Sequence, residues 1–381
     1  MKKISALIMA VTLGTVTLSC SQYQENTQTD NVSSINSFSV RSNLDTALGE
    51  KAAPDEEAAT NDIVTNILNG LKKDYKQPPV KRDVHTKHHG CVKAIFKVHN
   101  ENIDQKYRVG IFSQNKDYQS WIRFSNGQGK PKPDKSGDVR GMAIKLMGVP
   151  GKKLLESESD EQTQDFLLIN NNTFFIESLR DYTQLIKATS EGEASIIKFG
   201  IMHPKVSYRL YNIFKKKITS PLENDYFSTV PSKLGTVAVK YRAKPCSGSV
   251  STIPANPSPD YLKETMEKTL SQKDACFNFM VQFRKGTFED MPVEDSTKEW
   301  SEQVSPYIPV ATLIIPHQQF ANDKQMNFCE NLSFTPWHSL PEHKPLGAPN
   351  RVRKVVYETI SKYRHQQNGV ERKEPIGFEI N

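Results

Sequence analysis

Seven β-rich segments separated by long, irregular intervals constrain this chain more than any other feature. They span residues 91–98, 120–125, 139–146, 165–170, 236–243, 277–283 and 310–315, each rich in β-branched or aromatic residues and bounded by turn formers. Even spacing would indicate a repeat protein, and regular strand–helix alternation a doubly wound parallel sheet; neither is present. The expected fold is therefore α+β, an antiparallel barrel carrying large helical insertions. Residues 61–75 place Ile63, Val64, Ile67, Leu68 and Leu71 at helical spacing, so a short amphipathic helix should open the domain. Further helices are expected at about 175–188, at 260–272, and from near Asn350, after Pro349, to His365. With no linker-like break after residue 61, residues 61–381 read as one domain.

The start of the chain has a different character. Lys2 and Lys3 precede a short apolar run, the pattern of an export signal over residues 1–19, too short to span a membrane as a stop-transfer helix. It leads into Leu18-Ser19-Cys20, which resembles a bacterial lipoprotein box with Cys20 as the acylated residue. Thr17 stands where that pattern usually has Leu, and ordinary secretion is the alternative. Residues 20–60 are polar, with seven acids against two bases, the composition of a disordered tether. The expected location is thus the bacterial cell envelope, on the periplasmic or surface face, with the membrane met through a lipid anchor only. From residue 61 onward the net charge is +10, which admits anionic ligands. The longest basic run is Lys215-Lys216-Lys217, which is no nucleic-acid footprint. Besides Cys20 there are Cys91, Cys246, Cys276 and Cys329. An even number in an exported protein permits one or two disulfides, their spacing names no pairing, and buried free thiols are an equal alternative.

Two clusters carry candidate chemistry. His85, His88 and His89 would share one face of a helix, as a divalent metal site needs, yet they run straight into Gly90 and a strand, and no H-E-x-x-H pattern supports zinc. A solvated histidine-rich loop is the alternative. Gly148 to Lys153 lacks phosphate-loop spacing and reads as a turn. In the last helix Arg353, Tyr357 and Arg364 lie at 0, +4 and +11, within about 40° of one another, beside an apolar stripe of Val352, Val355, Val356, Ile360 and Tyr363. In isolation this is a core-boundary tyrosine with solvated arginines; the functional alternative is an arginine that favours a phenolate able to bind ferric iron.

These residues also carry a family resemblance. Residues 334–357, from Phe334-Thr335-Pro336-Trp337 to Arg353 and Tyr357, resemble the segment of small catalase-related heme enzymes that supplies an axial tyrosinate through an R-x-x-x-Y pair. Further matches follow in the family's order: Arg82-Asp83-Val84-His85-Thr86-Lys87 to R-x-V-H-A-K, Ile122-Arg123-Phe124-Ser125 to V-R-F-S, residues 138–145 to D-x-R-G-F-A-x-K, and residues 165–175 to the strand delivering a distal asparagine before a Phe-Phe pair. The resemblance covers about residues 78–368. It implies a catalase-like barrel with a heme-ligating C-terminal helix and ferric heme as cofactor.

It also implies roles. Tyr357 would be the axial iron ligand supported by Arg353; Arg82, Arg123 and Arg364 would meet heme propionates; Val84 would lie at the heme. His85 would be the catalytic histidine, with Ser125 beside it. Asn170 would be the distal asparagine, Asn171 the second choice. Ser361 stands where full-length catalases commonly have histidine. The implied activity is decomposition of hydrogen peroxide or organic hydroperoxides, with a second peroxide or an organic donor as reductant. The alternatives are a fatty-acid-hydroperoxide rearranging enzyme of the allene oxide synthase type and a heme-binding lipoprotein without catalysis. Val84 occupies a position that is typically threonine in allene oxide synthases, which leans toward catalase or peroxidase. Only 24 residues follow Tyr357, which implies a more open heme than in large catalases.

Overall fold

A computed structural model describes residues 44–248 and 250–380; the signal-like segment 1–19, Cys20 and most of the expected tether lie outside the described residues. Nine strands form one antiparallel sheet: β1 (His88–Val98), β2 (Asp117–Asn126), β3 (Arg140–Met147), β4 (Thr163–Ile169), β5 (Tyr226–Phe227), β6 (Ser232–Leu234), β7 (Val237–Pro245), β8 (Ala275–Phe283) and β9 (Ile308–Ile315). The order β5-β4-β3-β2-β1-β9-β8-β7-β6, with β5 also pairing to β7, closes eight strands into a barrel and leaves β6 as a flap on β7. All seven segments expected as strands form strands. Closure depends on β5, which is only two residues long.

Alternation with a period of two builds the interior. Val92, Ala94, Phe96 and Val98 of β1 point inward with Ile122, Phe124, Ile144, Phe166, Tyr241 and Phe279, all at most 6% exposed. Phe279 meets Phe96 and Phe166 with ring centroids 5.1 and 4.9 Å apart, so the barrel is packed and not a channel. The opposite faces of β1 and β2 put Cys91 and Trp121 into a second cluster with Cys329 and Leu332.

Among the described residues seven α-helices accompany the barrel: α1 (Glu56–Asp74), α2 (Leu179–Glu191), α3 (Glu193–Met202), α4 (Pro204–Phe214), α5 (Tyr261–Leu270), α6 (Asp323–Asn331) and α7 (Ala348–Asn368). The apolar stripe of α1 packs against Val352, Val356 and Ile360 of α7, with Leu179 and Tyr182 of α2 alongside. Among the described residues no helix is long and apolar enough to cross a membrane.

One boundary differs from the sequence reading. The tether expected over 20–60 gives way to the domain earlier, because α1 starts at Glu56, while Glu50 and Glu56 are each 1% exposed. Their carboxylates ring Arg351 of α7: Nη1 donates to Glu50 Oε1 at 2.7 Å and Glu294 Oε1 at 2.9 Å, and Nε to Glu56 Oε1 at 2.7 Å. Acidic composition read as solvated is thus spent on one buried guanidinium. The cysteines form two disulfides, Cys91–Cys329 and Cys246–Cys276.

Candidate heme site

His85 lies between cis-Pro79 and β1 with φ +56°, a left-handed conformation uncommon outside glycine. Its peptide N–H donates to Gly127 O at 3.0 Å, and its own carbonyl accepts from Arg123 Nη2 at 2.8 Å, so neighbouring backbone and β2 hold the turn. The ring Nδ1 is 3.0 Å from Ser125 Oγ. The register sets Ser125 of β2 opposite Gly141 of β3, and a Cβ on Gly141 would come within 2.5 Å of the His85 ring. Only glycine lets the ring lie there. Burial, then the charges of Arg123, Arg353 and Arg82, lower the His85 pKa to about 3, which leaves a neutral imidazole at ordinary pH. The solvated-loop alternative for the three histidines fails: His89 is 1% exposed and meets Asn126 Oδ1 at 3.0 Å, while His88 pairs with Glu330 at 3.3 Å.

Asn170 follows β4. Its Oδ1 accepts from Arg140 N at 2.7 Å, and its N–H donates to Arg140 O at 2.9 Å. These bonds fix the amide, and its Nδ2, buried, has no partner among the described residues. Asn171 differs, because its Nδ2 donates to Thr173 O at 2.7 Å. The donor left over belongs to Asn170.

The charge of Arg353 reaches His85 from α7. Arg353 donates from Nη2 to Tyr357 Oη at 3.3 Å and from Nη1 to Asn350 Oδ1 at 3.0 Å. Asn350 is pinned in turn, donating to Pro231 O at 3.0 Å and Leu346 O at 3.1 Å. Asn350 thereby positions Arg353, a role that no sequence motif announced. A small cleft borders Tyr357, lined also by Ser361, Thr335, Asp165 and Arg372.

Arg82, Arg123 and Arg364 converge at one edge. Arg82 Nη1 and Arg364 Nη1 donate to Glu330 O, at 2.9 and 2.8 Å, and Arg82 also pairs with the Glu330 carboxylate at 3.3 Å. Arg82 Nη2 donates to Leu332 O. Burial and mutual repulsion lower the pKa of Arg123 and Arg364. Burial works against the Glu330 charge, but its hydrogen bond to His88 and the charges of Arg82 and Arg123 lower its pKa to about 2. Arg123 Nε is buried without a partner. Glu330 organises this edge, yet nothing in Cys329-Glu330-Asn331 distinguishes it in the sequence. Val84, 40% exposed, sits beside His85 in the chain.

These residues fit a heme-like group. Three cations against one carboxylate suit two propionates, Asn170 has a buried donor to give, and the Arg353–Tyr357 pair offers a phenol oxygen with a cation beside it. A separate trio, Glu158, His338 and Glu374, brings possible ligand atoms within 4.8 Å of one another. It is already compensated: Arg372 pairs with Glu158 at 2.5 Å and Lys145 with Glu374 at 2.6 Å.

Among solved structures, a fungal catalase matches with a TM-score of 0.61 and 19% identity, over 79% of this chain and 62% of that chain. Catalase A from Saccharomyces cerevisiae matches with a TM-score of 0.61 and 18% identity, over 80% of this chain and 66% of that one. This chain therefore spans somewhat less than two thirds of either relative's length. No family model matches the sequence, and no curated protein does. The closed barrel with its C-terminal helix is a catalase-like fold.

Proposed function

We propose that this chain is a heme-dependent enzyme that decomposes hydrogen peroxide or organic hydroperoxides. The observation that carries the reading is a neutral histidine and a fixed amide donor, unpartnered among the described residues, on the barrel, together with an arginine-supported tyrosine on α7 whose arginine is near enough to lower the histidine pKa. Bound heme would supply redox-active ferric iron, with the Tyr357 oxygen as its ligand and Arg353 donating to that oxygen. Arg123, with Arg82 and Arg364 around Glu330, would hold the propionates. With Nδ1–H donated to Ser125 Oγ, His85 keeps a lone pair on Nε2 to take a proton from one peroxide oxygen and return it to the other. Asn170 Nδ2 would donate to the peroxide and orient it, and Val84 would narrow the space beside His85.

The reading includes export, lipidation at Cys20 and residence in a bacterial envelope; two disulfides support an oxidising compartment. Rearrangement of fatty-acid hydroperoxides is a second reading, supported by the apolar cluster that Phe174 and Phe175, four and five residues after Asn170, form with Phe199 and Val206. An absorption spectrum with oxygen evolution on hydrogen peroxide tests the main reading. The expected result is a ferric tyrosinate spectrum that Tyr357→Phe abolishes. His85→Ala should keep the band and lose turnover by about 10²-fold or more. A protein that binds no heme when supplied with it refutes the proposal. An allylic epoxide formed from lipid hydroperoxide without added donor selects the second reading.

A further inference from the structure

Among the described residues, the helical hairpin α3–α4 carries the densest set of exposed apolar side chains. In α3 only Phe199 is buried, while Ile201 and Met202 are 72% and 66% exposed; in α4, Tyr208 and Tyr211 are 68% and 51% exposed. Ile196, Ile197 and Phe214 add to the same exposed set. Single exposed apolar residues are ordinary, but seven within nineteen consecutive positions mark an interaction surface. The cations of the segment identify the partner. Residues 193–217 hold Lys198, Lys205, Arg209, Lys215, Lys216 and Lys217 against Glu193 alone. All five lysines are exposed, and Lys215 lies over the Tyr211 ring at 5.5 Å.

We propose that α3–α4 docks on an anionic lipid surface. Exposed isoleucine and methionine would enter the boundary between headgroups and acyl chains. Tyr208 and Tyr211 suit the headgroup level, and long lysine side chains reach back to lipid phosphates. Each basic residue near such a surface adds attraction, which distinguishes this partner from an uncharged apolar one. The hairpin also meets the candidate site: Lys216 Nζ donates to Asn171 Oδ1 at 2.8 Å and Asn170 O at 3.3 Å, and Phe199 and Val206 pack with Phe174 and Phe175. Docking would bring the mouth beside Asn170 to the lipid. The proposal itself requires neither heme nor peroxide chemistry.

Hydrogen–deuterium exchange on the full chain tests it, with vesicles of equal parts phosphatidylglycerol and phosphatidylcholine compared with phosphatidylcholine alone. This reads the hairpin locally, whatever the N-terminal segment does. The expected result is slowed exchange over 193–214 on the anionic vesicles, weakened by salt. The double variant Ile201→Asp, Tyr208→Ser should lose that protection by about tenfold or more in lipid concentration at an unchanged melting temperature. Lys198→Glu with Lys205→Glu should reduce it by about tenfold. Unchanged exchange with anionic vesicles, equal protection on phosphatidylcholine alone, or protection produced by self-association without lipid would each overturn the proposal.

Discussion

Two buried arginine clusters sit at opposite ends of α7 and are built on opposite charge balances. At the N-terminus Arg351 is enclosed by Glu50, Glu56 and Glu294, and the surplus negative charge is taken by Lys344 and by the N–H groups of Gly347 and Ala348. Carboxylates suit the positive end of a helix dipole, so this cluster is complete as protein. Near the C-terminus Arg82, Arg123 and Arg364 share one carboxylate, and Arg123 Nε has no partner. The first cluster holds the helix that carries Tyr357; the second is short of negative charge. A buried guanidinium therefore indicates a ligand only when its counter-charges have been counted.

That contrast can be broken by substitution. Arg351→Met leaves Glu56 and Glu294 without their cation and Glu50 with Lys344 alone, and should cost about 3–5 kcal/mol of stability by urea unfolding. A loss under about 1 kcal/mol would mean the cluster does not anchor α7. The same distinction between used and spare donors separates the asparagines: Asn170→Ala should lower peroxide turnover about 10²-fold, and Asn171→Ala by no more than a few-fold. Equal effects would erase the difference assigned to Nδ2. Arg123→Met removes a cation from the uncompensated cluster, so heme affinity should fall about tenfold while the heme-free protein is no less stable. Loss of stability without loss of affinity would make this cluster structural like the first.

A further expected effect is a slope with pH. Burial lowers the pKa of His85, His89 and His343 to about 3 from 6.5, with like charges contributing at the first two. Between those values the unfolded chain binds more protons than the folded one, so stability should decline as pH falls from about 6.5 towards 4. Glu330, lowered to about 2, extends the decline below its ordinary range. A urea midpoint flat across that window would show that these imidazoles are solvated.

Much of the barrel was legible because inward residues alternate, as in Val92, Ala94, Phe96 and Val98, and because α7 repeats its apolar stripe every turn. The ring-closing β5 was not, since two residues carry no periodicity. Nor were α3 and α4, whose apolar residues do not gather on one buried face. At the site, ordered motifs singled out His85, Ser125, Arg353 and Tyr357, and the structure places His85 beside Ser125 and Arg353 beside Tyr357. Glu330 and Glu56 act through partners tens to hundreds of positions away, and Asn350, which positions Arg353 one turn on, is itself pinned by the distant Pro231, relations that no local pattern encodes. The shared helical face that a metal site at His85, His88 and His89 would need does not form, because β1 begins at His88 and sends its side chains to alternate faces.

The two disulfides have a chemical consequence beyond cross-linking. A protein that handles hydroperoxides is exposed to the reagent that converts thiolates to sulfenic and then irreversible sulfinic acids. All four cysteines among the described residues are already disulfide-bonded, so this part of the chain offers the oxidant no thiol. Among the described residues the most exposed methionine is Met202, on the α3–α4 hairpin that a lipid surface would cover.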